Sequence, residues 1–99
     1  MDNRTLHMEN LAFSGTSGVS DQTRASGFQP AFKDLQTGRV EIARTRIGLP
    51  ATCHMIDWLP RDWARTLSHN GRVSSLRSGI ISGFVRQGVF FTREELAEL

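Results

Sequence analysis

Cys53 and His54 carry two of the most reactive side-chain types in this chain, and they stand next to each other. Adjacent residues of a strand point to opposite faces, so the two cannot share a metal ion without a special turn. A structural zinc takes four ligands at characteristic spacing. Here there is no second cysteine, and His7 lies far off in the N-terminal segment. As a nucleophile, Cys53 needs a histidine within hydrogen-bond reach and a third group to orient it. His69 with Asp57 or Asp62 supplies the types, but no motif brings them together, and the simpler reading is a small buried hydrophobe. Glu94 and Glu95, like Asp57 and Asp62, read as helix-terminus acids rather than as an acid–base pair. Gly79, Gly83 and Gly88 are spaced along a hairpin, not between a strand and a helix as a phosphate-cradling loop requires. The expectation is a chain that is not an enzyme and takes no metal or cofactor.

Recognition chemistry is better represented. Eleven of the twelve basic residues are arginine and only Lys33 is lysine. Arginine makes planar, bidentate contacts to phosphate and carboxylate, although a GC-rich genome also favours it. Trp58 and Trp63 fall in one short segment, and tryptophan is enriched at binding hot spots; Trp63 is expected in the core, with Trp58 left open. The candidate binding residues are therefore Trp58, Arg61, Arg65, Arg72, Arg77 and Arg86. Their expected partner is another protein. The alternative is a DNA- or RNA-binding regulator that uses an arginine-bearing sheet face. Ser82-Gly83-Phe84-Val85-Arg86 only faintly echoes the aromatic strand of RNA-recognition sheets, lacking its basic-Gly start and aromatic spacing. Interspersed acids favour a solvated face over a nucleic-acid footprint.

These residues must be positioned by few elements. Residues 1–27 are rich in Ser, Gly and Thr, which bury too little apolar surface to offset the entropy of ordering. They are expected to be a disordered tail, whose one apolar cluster (Leu6, Met8, Leu11, Ala12, Phe13) is assigned no role in the fold. Residues 28–99 then form a single α+β domain, an antiparallel meander with a short C-terminal helix. Phe28 to Lys33 reads as a strand, with Pro30 suggesting a sheet edge. Arg39 to Ile47 follows as a second. A short helical turn over 57–62 leads into a hairpin at Asn70-Gly71, a dipeptide typical of two-residue turns. In that register Leu67 faces Ser74, and Trp63, Leu67 and Leu76 share the buried side. The last hairpin turns at Gln87-Gly88, which pairs Phe84 with Phe91 and Val85 with Phe90. Phe90 or Phe91 is expected to be buried. Thr92-Arg93-Glu94-Glu95 is a capping box opening the final helix, with Leu96 and Leu99 as its apolar contacts.

A body of this size buries only about 60% of its unfolded surface, which favours shallow surface recognition over a deep pocket. One cysteine excludes an intramolecular disulfide and suits a reducing compartment. No apolar run reaches the length of a bilayer span or a signal-peptide core. A cytoplasmic protein without a membrane partner is expected.

The succession Phe32-Lys33-Asp34, Thr37-Gly38-Arg39, Cys53-His54, Leu59-Pro60, Trp63 and Gly71-Arg72-Val73 continues in Ser82 to Arg86, Gly88, and Phe91-Thr92-Arg93-Glu94-Glu95. Over residues 31–96 it resembles short uncharacterised proteobacterial proteins found on plasmids and integrative elements. The resemblance implies a compact bacterial accessory protein and supplies no functional residue.

Overall fold

A computed structural model describes residues 1–12 and 27–98. Helix α1 (Asn3–Ala12) comes first, then strands β1 (Gln29–Asp34) and β2 (Val40–Ile42) and a 3-10 turn (Arg61–Trp63). Strands β3 (Ala64–Leu67), β4 (Val73–Leu76), β5 (Ile80–Arg86) and β6 (Val89–Thr92) follow, and helix α2 (Arg93–Ala97) closes the order. The strands form a four-stranded antiparallel sheet, β2-β1-β5-β6, and a separate antiparallel pair, β3-β4. The α+β class expected from the sequence is the one observed.

The C-terminal hairpin keeps its expected register, Phe84 with Phe91 and Val85 with Phe90. Its turn has positive φ at both central residues, Gln87 (52°) and Gly88 (78°), the conformation that matches the twist of the flanking strands. The capping box also forms: the Glu95 amide donates to Thr92 Oγ1 (3.0 Å), and the Thr92 amide donates to Glu95 Oε1 (2.9 Å). Burial differs from expectation, because Phe90 and Phe91 are both half-buried while Phe84 is fully buried. Gly83 explains part of this. A Cβ there would stand 2.3 Å from the Phe91 carbonyl oxygen and 2.4 Å from the Phe90 ring, so only glycine admits that ring across β5.

Three local expectations are corrected. Pro30 lies not at an edge but in β1, between β2 and β5. Ala43 donates to the Pro30 carbonyl (2.9 Å), while the Ala43 carbonyl accepts from Ala51 (2.9 Å) and so does not need the N–H that proline lacks. The β3–β4 register is also shifted: Leu67 pairs with Val73, with irregularities on either side of Thr66. Gly71 (φ 81°) takes positive φ in that loop and Asn70 does not, so neither two-residue turn forms, since type I′ needs both and type II′ the first, and a longer loop closed by the Ser68 amide on the Arg72 carbonyl takes its place. Val73 is buried and Leu67 exposed.

The third correction concerns the N-terminus. Of the expected tail, residues 1–12 are not outside the fold: Leu6 joins the main core with Phe32, Ile56, Trp63, Val73 and Leu76. The Met1 carbonyl accepts from the Leu76 amide, and Glu9 pairs with Arg93 at 3.2 Å. A periodic contact every few residues is what docks a helix. Residues 13–26 lie outside the described residues, as does the Leu99 contact.

A second, smaller cluster gathers Phe28, Phe84 and Leu96, with Phe91 against it. Asp34 and Arg77 tie the large sheet to the β3–β4 pair through a 2.6 Å ion pair. No helix among the described residues is long and apolar enough to cross a membrane.

Candidate functional site

Trp58 is positioned by its neighbours. Ile56 and Leu59 are buried, and the Leu59 amide donates to the Ile56 carbonyl (3.1 Å), closing a turn that leaves Asp57 and Trp58 at its tip. The indole is 39% exposed. Arg72 arrives from the β3–β4 loop and lays its guanidinium over that ring, 3.4 Å from the centroid. The loop is pinned by Ser68 donating to the Arg72 carbonyl (2.8 Å) and by Asn70 Oδ1 accepting from the Arg72 amide (3.1 Å). Arg46, Asp57, Trp58, Asn70 and Arg72 together line a pocket of about 260 Å³. Its charged lining holds two cations and one acid, an arrangement suited to an anionic group of side-chain size.

Among the residues expected from sequence, the structure brings Trp58 and Arg72 to the pocket, while Arg61 does not line it. The Arg61 guanidinium lies against Gly71, 3.2 Å from where a Cβ would stand. Arg65 is exposed on β3 and does not line the pocket. Arg77 has a structural role, bonding Asp34 Oδ2 (2.6 Å) and the Asp62 carbonyl (3.2 Å). That contact holds the Asp34 carboxyl below its ordinary range, chiefly through the hydrogen bond from Arg77. Arg86 sits over the Phe28 ring at 5.3 Å. Arg46 was missed, and nothing in its local sequence marks it, because it reaches the pocket from a turn far along the chain.

A second polar constellation was missed as well. His54 is buried between the edges of Phe32 and Phe84, with ring centroids 5.3 and 5.1 Å away, and so separates the two apolar clusters. Its Nε2–H donates to the Gly83 carbonyl (2.7 Å), and its Nδ1 accepts from Arg93 Nη2 (2.9 Å). Burial pushes its pKa down to about 3, with the Arg93 charge adding to the effect. Arg93, 2% exposed, also reaches Ser82 Oγ (3.1 Å), and the Ser82 hydroxyl donates to the Glu9 carboxylate. Both ring nitrogens of the histidine are taken by Gly83 and Arg93, and the serine hydroxyl donates to Glu9, so the two do not form a nucleophile–base pair. It is a buried polar layer that satisfies itself.

Cys53 is exposed, not buried as the simpler reading of the sequence held, while its neighbour His54 faces inward. Among the described residues, no group of three His, Cys, Asp or Glu side chains stands ready to hold a metal ion. Comparison with protein-family models, curated proteins and solved structures finds no match to this chain.

Proposed function

We propose that this protein is a non-enzymatic binding module that docks an acidic segment of another protein onto the Trp58–Arg72 surface. The observation that carries the reading is the guanidinium of Arg72 stacked 3.4 Å above an exposed indole beside a pocket that Arg46 shares. A stacked arginine is already held in place, so it loses little freedom when it grips a carboxylate with two parallel N–H bonds. Tryptophan adds a large contact area with few rotatable bonds. By the resemblance noted above, the setting would be the bacterial cytoplasm, as an accessory protein of mobile elements.

Affinity capture from a bacterial lysate tests the reading, with the wild type compared against Trp58→Ala and Arg72→Ala. A partner held by the wild type and lost by both variants is the expected outcome. Identical partner sets for all three proteins, or no partner for the wild type, would count against it.

The nucleic-acid alternative has less support. Arg77 is engaged by Asp34, and Arg86 covers Phe28, which leaves a smaller free cationic surface than a shared sheet face would offer. Phosphate-driven binding weakens steeply with salt, so titration with random duplex and single strands at low salt separates the two readings.

A further inference from the structure

We infer that the Ile47–Leu49 turn is the second half of the same interface, so that the bound segment carries apolar side chains next to its acidic one. The inference rests on the reading above and names the partner's chemistry more closely. Ile47 is 80% exposed and Leu49 57% exposed, and Arg46, the residue before them, lines the pocket. Two large apolar side chains exposed in one loop are ordinary where the loop is slack, but this turn is not slack. Thr45 donates to the Leu49 carbonyl (2.7 Å), Gly48 donates to the Thr45 carbonyl (2.9 Å), and Arg44 Nη1 donates to the Gly48 carbonyl (2.8 Å). Gly48 (φ 85°) supplies the left-handed residue that closes it, and Arg44 bridges to Pro50 at its base. A rigid turn that holds apolar groups outward has little entropy left to lose on binding.

The chain thus sets two exposed apolar residues, on a hydrogen-bonded turn, immediately after an arginine that lines the pocket. A polypeptide matches that, because side chains two apart on an extended segment point to the same face and can offer it a carboxylate and an aliphatic group. A planar anionic membrane matches it less well, since it cannot enter the pocket and would lie against Asp57.

The test is an NMR titration of the full chain with two eight-residue peptides, a Glu–Leu peptide that repeats Glu-Ser-Leu-Ser, so that acid and leucine share a face, and a Glu–Ser peptide with serine in place of each leucine. The wild type should bind the Glu–Leu peptide about fivefold more tightly or better, as expected for partial burial of an aliphatic side chain. Ile47→Ser combined with Leu49→Ser, both at exposed positions, should abolish that preference and leave the Glu–Ser affinity unchanged. Equal affinity of the wild type for the two peptides would overturn the inference, as would a preference that survives in the double variant. If Trp58→Ala and Arg72→Ala bind both peptides as the wild type does, the underlying reading of the site has failed, and the inference fails with it. Phosphatidylglycerol vesicles form the last arm. Cosedimentation that depends on Ile47 and Leu49, without any peptide preference, would overturn the inference in favour of a lipid surface.

Discussion

At about pH 6 a free histidine is mostly protonated, whereas His54, lowered to about 3, is still neutral. Its Nδ1 already accepts from a guanidinium, and a proton there would set two cations against each other in the core. The unfolded chain has no such restraint. As the pH falls from about 6.5 towards about 3 it takes up a proton that the folded chain refuses, and stability drains away. Above that window the group contributes no pH dependence. The loss between pH 7 and pH 4.5 should be about 2–3 kcal/mol. Asp34 adds its own loss only near and below its ordinary value of 3.8, because its folded form titrates lower still. Urea melts at the two pH values should show this difference in the wild type and a much smaller one in His54→Gln. A wild type equally stable at both values would mean that the imidazole is not held neutral.

The β5–β6 hairpin and α2 act together as one element, because the turn, the cross-strand aromatic pairs and the cap all favour the same chain path. Its energetic centre is Phe84, which is fully buried. Phe84→Ala should destabilise by about 3–5 kcal/mol. Phe91→Ala should cost less, since that ring is half-buried against the edge of Phe28 at 5.5 Å. Thr92→Ala should cost about 1 kcal/mol, the usual loss of an N-cap. Gly83→Ala belongs near the top of this order, about 1–3 kcal/mol or more, because the new methyl group collides with backbone as well as a ring. Denaturant midpoints of the four variants check the ranking. A harmless Gly83→Ala would show that Phe90 moves aside freely.

For the whole molecule, the consequential contact is that of α1 with the body. Leu6 enters the main core, and Glu9 reaches the buried Arg93 and Ser82. Leu6→Ala should destabilise by about 2–5 kcal/mol, and in a chain this short should lower the thermal midpoint by about 8 °C or more. An unchanged midpoint would mean that α1 does not contribute to the core. The same docking bears on the polar layer. With α1 lifted, the Glu9 carboxylate would leave Arg93, and burial of that guanidinium would lose one of its compensations.

What the sequence determined by itself is local. The Gln87-Gly88 turn, the Phe84–Phe91 pairing and the Thr92 box each depend on residues only a few positions apart, where side-chain chemistry and backbone preference act without help. The burial of Trp63 was legible for a similar reason, as a large apolar residue in a segment that has to cover the sheet. Tertiary structure decided the rest. The candidate pocket draws Arg46, Trp58 and Arg72 from three separate loops, and no periodicity links them. Pro30 sits inside a sheet because Ala51, twenty-one positions away, occupies the carbonyl that its missing N–H would have sought. Leu6 is in the core because the body has an apolar site to receive it, although the polar composition around it suggested a tail. Arg93 is buried because His54, Ser82 and Glu9 converge on it from distant positions. Short-range preferences are set by the covalent chain, while adjacency between distant segments is set by which surfaces fit together once apolar area is withdrawn from water.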